Sequence, residues 1–273
     1  MGILDLINGY GADSLAWLDN KRVLNSDLVA LRSSLAQWER GEVIDVGESG
    51  TLYRYLLFTS WKQKKNARFK LSGTLKSRSI TVDPSIIDYS QEELLLLDNK
   101  TSQWASAAAL NGDRNRVKDP PFKLATTYQA INHWYEQREQ GLMWSARRDD
   151  TIKAQAEAFN KLLHGKLVGF TPKQAEDYCF ARMLNQMSPA EGEKIWPALR
   201  GHESDRILEM EKSLDQAALG HAVTSNDHRV VQALAMWGLI NNKPVQFTNR
   251  DAVSKSWPEF WSFIEWSKLS ARP

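Results

Sequence analysis

The sequence predicts a mixed α/β protein, and two observations support this class. Short runs of alternating apolar and polar residues, typical of strands, are followed along the chain by amphipathic helical patterns. Of the 273 residues, 42% are hydrophobic and 25% are charged, which is typical of a globular protein with a large core. Strands that alternate with helices favour the α/β class but leave the order of the strands open. The length allows one large domain or two smaller ones.

The pattern places the predicted elements in a definite order. The predicted strands are 42–46, 69–71 and 79–82. The predicted helices are 28–38, 52–61, 101–110, 127–139, 150–163, 173–187, 204–218, 228–240 and 257–268. Gly47 and Gly50 mark a turn from the first strand into a helix, and Gly73 marks a turn between the other two strands. The polar and basic segment 140–150 is the expected domain boundary.

Charge and composition exclude several classes of function. A net charge of +2 is too small to favour nucleic acid as a partner. A single cysteine, Cys179, excludes an intramolecular disulfide and a cysteine-based zinc site, and it fits a reducing compartment. The first residues lack a basic region and include Asp5 and Asp13, so they predict neither a signal peptide nor a membrane span. We therefore expect a cytoplasmic protein that does not bind membranes.

Two clusters of acidic and basic residues, 201–207 and 226–229, each lead into a helical apolar pattern. Side chains at a helix N-terminus lie beside backbone N–H donors, which suits a phosphate or carboxylate ligand. The same positions, Ser204-Asp205 and Asn226-Asp227, are equally typical of ordinary helix N-caps. Together with the upstream motifs, the two clusters favour an anion-binding site.

Two segments earlier in the chain can also be interpreted either as anion-binding sites or as an ordinary turn and helix cap. Gly47–Thr51 follows a strand and opens a helix, so it can bind an anion or simply form a turn. Arg54 lies one helical turn after Thr51 and shares its face. Thr101, Ser102 and Gln103 offer two hydroxyl groups and an amide at another helix start, where they also fit a plain cap.

Six motifs occur in an order that resembles 5-enolpyruvylshikimate-3-phosphate (EPSP) synthase, the 3-phosphoshikimate 1-carboxyvinyltransferase family. The motifs are GESGTLYR (47–54), LSG…KSR (71–78), TSQWASAAAL (101–110), HESDRILEM (202–210), NDHRVVQALAMWGL (226–239) and SKSWPEF (254–260). The resemblance extends discontinuously from about Leu18 to Phe260. It implies two lobes of helices packed on sheets, an inside-out α/β barrel type of fold built from repeated βαβαββ-like units, some of them lost. The implied lobes are 18–145 and 146–273, with residues 1–17 crossing to the C-terminal lobe and ligands bound between the lobes.

The resemblance also implies a role for individual residues. The phosphate and carboxylate of phosphoenolpyruvate would be held by Arg78, Arg206, Arg229 and Lys255. The implied catalytic residues are Lys21, Asp177, Glu203 and His228. The acceptor would be bound by Arg54, Thr101, Ser102 and Tyr128, and Gln103 would lie between the two substrates. The resemblance implies no metal and no organic cofactor.

Two of these assignments have alternatives in the sequence. Lys21 and Asn25 match the family's lysine and asparagine, whereas aligning 24–27 with a later family segment would leave the lysine without a counterpart. Asp177 is the preferred match to the family's catalytic aspartate, with Glu176 in reserve.

The chain departs from the family mainly on the acceptor side. Glu48 stands where the family has asparagine, Ser26 replaces an arginine, Ala125 replaces a serine, and His202 replaces a lysine. Phosphoenolpyruvate recognition is therefore better supported than recognition of shikimate 3-phosphate.

The leading functional hypothesis is transfer of a carboxyvinyl group from phosphoenolpyruvate to a hydroxyl of 3-phosphoshikimate or a similar phosphorylated cyclic alcohol. This reaction would place the protein in the shikimate pathway of aromatic amino acid biosynthesis. A non-catalytic or regulatory descendant that still binds anions is the alternative, and an unrelated helical interaction protein is a third hypothesis. The oligomeric state is left open by the sequence.

Overall fold

The chain divides into two compact units, Met1–Arg147 and Arg148–Pro273. The computed structural model describes residues 1–21, 23–77, 85, 88, 89, 93, 96, 125–143, 150–200 and 204–270. Residues 1–17, which the resemblance placed with the C-terminal lobe, lie within the first unit, because Ile3, Leu4 and Leu6 pack into its core.

The first unit combines helices with a small parallel sheet. Its helices are α1 (Gly2–Ile7), α2 (Gly11–Asp19), α3 (Ser26–Arg40), α4 (Gly50–Lys62) and α5 (Ala125–Glu139). Its strands are β1 (Ile44–Asp45) and β2 (Phe69–Lys70), with Ile44 paired to Phe69 in parallel register. A 3₁₀ turn, Gly73–Ser77, follows β2. The α3–β1–α4–β2 succession therefore places the Gly47–Thr51 turn at the end of a buried strand.

The second unit is almost entirely helical in its described part. Its helices are α6 (Asp150–Leu163), α7 (Tyr178–Met183), α8 (Pro189–Ile195), α9 (Arg206–Ala218), α10 (His228–Ile240) and α11 (Phe260–Ser270). Its 3₁₀ turns are Ala175–Asp177, Pro197–Leu199 and Arg250–Lys255. One isolated parallel bridge joins Val223 to Phe247.

The structure is a mostly helical α/β protein, so the predicted fold class is confirmed only in its coarse form. Neither the barrel nor the repeated βαβαββ-like units are found among the described residues, where the sheet has two strands. The predicted strand 79–82 and helix 101–110 lie outside the described residues. None of the described helices combines the length and apolar character that a membrane span requires.

The predicted helix 173–187 is wrong as a single element. The Asp177 carboxylate accepts hydrogen bonds from the backbone N–H groups of Lys173 and Gln174, which holds this stretch in a 3₁₀ turn before α7 begins. The short helices α1, α2 and α8 had not been predicted. A capping box at α8, in which Ser188 and Glu191 bond to each other's backbone N–H, was a usable signal in the sequence.

Helix α10 forms the centre of the second unit. Val230, Val231 and Leu234 are buried, and the helix packs against α6, α7, α9, α11 and the 3₁₀ turn Arg250–Lys255. A helix that is apolar on most sides must be buried to be stable. This burial fixes the position of the α10 N-terminus, where His228 and Arg229 begin the helix.

The first unit is held together at its buried acid Asp5. Its carboxylate accepts hydrogen bonds from the Ser14 hydroxyl at 2.6 Å, the Trp134 indole N–H at 2.7 Å and the Arg138 guanidinium at 2.7 Å. Arg138 also donates to Asp13 at 2.9 Å. Because Asp5 has no exposed surface, these hydrogen bonds offset the cost of burying its carboxylate.

Replacing Asp5 with alanine should destabilise the first unit. The Asp5→Ala variant leaves the largely buried Arg138 guanidinium without its closest partner, and we expect a loss of about 3–5 kcal/mol in the free energy of unfolding. Urea unfolding of the full chain, followed by circular dichroism, measures this loss. The control is Asp19→Ala, since Asp19 makes an exposed ion pair with Arg32 at 4.0 Å. This substitution should lower the free energy of unfolding by less than about 1 kcal/mol. Equal effects of the two substitutions would contradict this account of Asp5.

Candidate functional site

The Asp227 carboxylate connects the two clusters that the sequence singled out. It accepts hydrogen bonds from the backbone N–H of Arg229 at 2.8 Å, the Ser204 hydroxyl at 2.6 Å and the Arg206 Nε–H at 3.0 Å. Its own N–H donates to the Ser225 hydroxyl at 3.1 Å. The start of α9 is thereby joined to the start of α10.

Both members of the Asp227–Arg206 pair are held in their charged forms. Burial alone would raise the pKa of Asp227, but the Arg206 charge and the Ser204 hydrogen bond hold that pKa well below its usual range. Burial would likewise lower the pKa of Arg206, but the Asp227 charge raises it above its ordinary value. A mostly buried ion pair with this many hydrogen bonds fixes the direction in which each group points.

His228, the first residue of α10, is a neutral imidazole at neutral pH. Burial and, to a smaller extent, the positive charges of Arg229, Arg206 and Lys255 lower the pKa of His228 to about 4, against the opposing effect of Asp227. A neutral imidazole can accept a proton as well as donate one. His228 can therefore take part in hydrogen bonding or proton transfer, but it adds no positive charge.

Three of the four predicted phosphoenolpyruvate ligands come together around His228. Arg206 begins α9, Arg229 lies in the first turn of α10, and Lys255 ends the 3₁₀ turn Arg250–Lys255. The charges of all three act on the His228 ring. The α10 helix and the 3₁₀ turn are further joined by a hydrogen bond from Gln232 to the Ser256 hydroxyl at 3.0 Å. Residues from three elements thus form one positively charged region with α10 N–H groups beside it, which suits an anion.

Asp177 and Glu176, the two candidates for the catalytic acid, lie in different surroundings. Asp177 has no exposed surface and accepts hydrogen bonds from the N–H groups of Lys173 and Gln174 and from the Gln155 amide at 2.5 Å. Burial raises the pKa of Asp177 despite these donors. Glu176 is exposed, and its charge helps to raise the pKa of Arg206. Glu176 therefore lies near the positively charged region of Arg206, Arg229 and Lys255, whereas the Asp177 carboxylate stabilises the 3₁₀ turn.

Cys179 lies beneath the same region and is not available for chemistry. Burial raises the pKa of its thiol to about 12, although the charges of Arg206 and Arg229 act in the opposite direction. A thiol that stays protonated at neutral pH is a poor nucleophile. Its expected role as a core residue agrees with its burial in the second unit.

The Gly47–Thr51 turn of the first unit is joined to the second motif of the resemblance. The Ser72 N–H donates to the Gly47 carbonyl at 2.9 Å. The Glu48 side chain packs on Gly73, where an added Cβ would lie 1.7 Å from a Glu48 carboxylate oxygen. Gly73 also has a φ of 50°, a backbone conformation that favours glycine, and a larger residue there would displace the flexible Glu48 side chain.

The predicted contact within the first turn of α4 is confirmed. The Arg54 guanidinium donates to the Thr51 hydroxyl at 3.3 Å, and Arg54 is almost fully buried. Ser49 caps the helix by accepting from the Leu52 N–H at 3.4 Å. The N-terminus of α4 therefore carries the geometry expected from the sequence, with the Glu48 carboxylate next to it.

Lys21 and Asn25 lie between α2 and α3 in the first unit. The exposed Lys21 ammonium lies 4.4 Å from the centre of the Trp17 ring. Asn25 caps α3, since its side-chain oxygen accepts from the Leu28 N–H at 2.9 Å. Lys21 is thus accessible to a ligand, while Asn25 has a structural use.

Several predicted site residues lie outside the described residues. These are Arg78, Thr101, Ser102, Gln103, His202 and Glu203. Tyr128 lies on α5, but its side chain is outside the described part. Among the residues that the structure does describe, no group of three or more His, Cys, Asp or Glu side chains could hold a metal ion.

The sequence correctly identified the caps but missed the part that Asp227 plays. Asp205 caps α9 by accepting from the Leu208 N–H at 2.9 Å, and Asp227 caps α10, so the ordinary capping interpretation is confirmed. Asp227 also positions Arg206 and Ser204 across the two clusters. The signal in the sequence is an acidic residue, Asp227, directly before His228-Arg229, together with the earlier cluster that contains Ser204 and Arg206.

The comparison with known families agrees with the resemblance in the C-terminal part of the chain. Residues 201–264 match the family model of EPSP synthase (3-phosphoshikimate 1-carboxyvinyltransferase). This segment contains Arg206, Asp227, His228, Arg229 and Lys255. No curated protein and no solved structure matches the chain.

The buried His228 should make the stability of the second unit depend on pH. Its folded pKa of about 4 lies below its ordinary value of 6.5, so the unfolded chain takes up a proton first as the pH falls. The free energy of unfolding should therefore fall between pH 6.5 and 4, by at most about 3 kcal/mol.

Chemical denaturation at a series of pH values measures this effect, and the NMR titration of the His228 ring identifies its source. The His228→Gln variant should lose this part of the pH dependence, while His164→Gln, which changes an exposed ring just after α6, should retain it. A His228 ring that titrates near 6.5 would contradict the geometry described here.

Proposed function

We propose, taking the chain as a divergent EPSP synthase family member through its residues 201–264, that it binds phosphoenolpyruvate and transfers the carboxyvinyl group to a cyclic alcohol. The observation that carries the proposal is the convergence of Arg206, Arg229 and Lys255 on His228. All four residues lie within the matched segment.

The positively charged region fits the donor because phosphoenolpyruvate carries both a phosphate and a carboxylate. Guanidinium groups bind either group through two parallel hydrogen bonds, and an ammonium acts as a point charge. Asp227 supports this use, since its hydrogen bond with Nε holds the Arg206 side chain in place. Arg78, at the end of the LSG…KSR motif, is proposed as the fourth cation.

The proposed reaction has two steps that balance without a cofactor. The acceptor hydroxyl oxygen bonds to C2 of phosphoenolpyruvate, its proton passes to a protein base, and C3 receives a proton from a protein acid. The resulting tetrahedral intermediate then loses a proton from C3 and its phosphate group, which restores the double bond. Cationic side chains stabilise the intermediate and the departing phosphate.

Four side chains are proposed to move or stabilise these protons. Glu203, which precedes Ser204 in the chain, and His228 would take part in proton transfer at the methylene carbon, C3. Lys21 would contact both substrates. Glu176 is proposed in place of Asp177 as the second carboxylate that transfers a proton, beside Glu203. The Asp177 carboxylate is enclosed by the turn that it stabilises. Two carboxylates in different surroundings can divide the acid and base roles.

The acceptor is proposed to be 3-phosphoshikimate or a similar phosphorylated alcohol. Arg54, Thr101, Ser102 and Tyr128 would bind it, with Gln103 between the substrates. The Glu48 carboxylate beside the α4 N-terminus opposes an anionic acceptor at this position. We therefore expect the chain to bind phosphoenolpyruvate more readily than shikimate 3-phosphate.

A non-catalytic anion-binding role is the second candidate. The enclosed Asp177 favours it, since the residue that the resemblance assigned to catalysis has a structural use here. Release of inorganic phosphate from phosphoenolpyruvate, measured with shikimate 3-phosphate and then with other cyclic alcohols, distinguishes the two candidates. Phosphate release supports the transferase, and binding of phosphoenolpyruvate without release supports the second candidate.

Neutralising single cations should weaken donor binding. The variants Arg229→Gln and Lys255→Gln each remove a charge near His228 without disturbing the Arg206–Asp227 pair, and each should weaken phosphoenolpyruvate binding about tenfold or more. Isothermal titration calorimetry measures the change. The matched control is Lys194→Gln on α8, an exposed lysine. Unchanged affinity in both site variants would rule out this region as the donor site.

Glu176 and Asp177 should respond differently to the loss of charge. In Asp177→Asn the amide can no longer accept all three hydrogen bonds, so the free energy of unfolding should fall by about 1–3 kcal/mol. Glu176→Gln should leave stability unchanged and slow phosphate release by about a hundredfold. If Asp177→Asn is stable but inactive while Glu176→Gln is active, the original assignment of Asp177 is the correct one.

A further inference from the structure

A pocket lies in the second unit, beside a part of α10 that does not belong to the candidate functional site. It has a volume of about 220 Å³ and is lined by the C-terminal half of α10, the following loop and α11. The α10 residues that line it are Ala235, Gly238 and Leu239, whereas His228 and Arg229 lie at least six residues earlier. The proposed function assigns no role to this pocket.

The wall of the pocket is apolar and partly aromatic. It is formed by Ala235, Leu239, Pro244, Val245, Phe247, Trp261 and Ile264. The Phe247 and Trp261 rings lie 5.5 Å apart at an angle of 55°. Ligand sites of this kind combine an apolar wall with a few polar groups that orient the ligand.

The rim of the pocket is positively charged. Lys243, Arg250, Lys268 and Glu265 lie on it, which leaves a net charge of +2 from three cations and one carboxylate. Glu265 pairs with Lys268 at 2.7 Å. Among the described residues, no carboxylate lies within 4.0 Å of the Lys243 or Arg250 side-chain nitrogens, although the Arg250 charge acts on Glu265. The Lys243 ammonium lies 5.9 Å from the centre of the Trp237 ring, so it must turn towards the pocket to meet an anion there.

Arg250 is held in place rather than free to rotate into solvent. Its guanidinium lies 3.9 Å from the centre of the Trp261 ring, and the Trp261 indole N–H donates to the Arg250 carbonyl at 2.9 Å. A stacked guanidinium keeps its hydrogen-bonding edge available to a carboxylate. The loop is fixed as well, because an added Cβ at Gly238 would lie 2.6 Å from the Lys243 carbonyl oxygen.

We propose that this pocket binds a small carboxylate with a single apolar ring, the ring against Phe247 and Trp261 and the carboxylate at Arg250 and Lys243. The volume of about 220 Å³ is below that of pockets for drug-sized ligands, which favours a ligand of one ring. The apolar wall distinguishes this pocket from the region around His228, which is built to hold an anion through charge.

The test uses benzoate as the probe and the full-length protein. Titration calorimetry should detect benzoate binding, with benzyl alcohol bound at least about tenfold more weakly because it lacks the charge. In the same titration, the indole N–H signal of Trp261, assigned with a Trp261→Phe variant, should shift in the NMR spectrum. Equal binding of benzoate and benzyl alcohol, or an unmoved Trp261 signal, would overturn the proposal.

Variants separate this pocket from the candidate donor site. Arg250→Gln and Lys243→Gln should each weaken benzoate binding about fivefold to tenfold, while Lys212→Gln on α9, which does not line the pocket, should have no effect. Arg229→Gln should weaken phosphoenolpyruvate binding and leave benzoate binding unchanged. If Arg229→Gln abolishes benzoate binding instead, benzoate binds at the donor region and this proposal fails, although the proposed function stands.

Discussion

The ion pair between Asp227 and Arg206 organises the second unit around the candidate site. It joins the first residues of two helices, α9 and α10, and the same carboxylate caps one of them and accepts a hydroxyl from the Ser204 segment. A charge that is nearly buried can persist only when its partners are fixed, so the pair and the helix ends must form together. Without Asp227, Arg206 would lose the negative charge that most strongly offsets its burial.

The apolar character of α10 makes this arrangement possible. Buried positions such as Val230 and Leu234 hold the helix in the core, and its N-terminus therefore has a fixed position at the edge of the core. The same burial keeps His228 neutral, although an acid lies directly before it in the chain. His228 therefore contributes a neutral imidazole to this region, whereas its neighbours Arg206, Arg229 and Lys255 contribute positive charge.

The sequence predicted local structure well wherever one periodic pattern decided it. Helices α6 and α10 follow directly from their apolar spacing, and the contact between Thr51 and Arg54 follows from helical geometry. The break at Asp177 could not be predicted in this way, because it depends on a side chain that competes with the helix for backbone N–H groups. The barrel was inferred from family resemblance rather than from strand patterns, and the described sheet has only β1 and β2.

Within the candidate site, residue types could be predicted but their partners could not. The motifs predicted four cations for the phosphoenolpyruvate side, and the charges of three of them, Arg206, Arg229 and Lys255, act on the His228 ring. The double role of Asp227 depends on a contact between residues 21 positions apart in the chain, which no local pattern reveals. For the same reason, Glu176 and Asp177 are adjacent in sequence but differ in burial, and only the fold separates them.

The network around Asp5 has a consequence for how the first unit forms during synthesis. The bonds from Trp134 and Arg138 to Asp5 span 129 and 133 positions of the chain. Until Trp134 and Arg138 have been synthesised, Asp5 lacks these two hydrogen-bond donors, and α1 and α2 lack the contacts that α5 makes with Asp5 and Asp13. Contacts of such long range form slowly because a large loop must close first. The packing of the N-terminal helices is therefore completed only after α5 has been synthesised, although α1 can already contact α2 and α4.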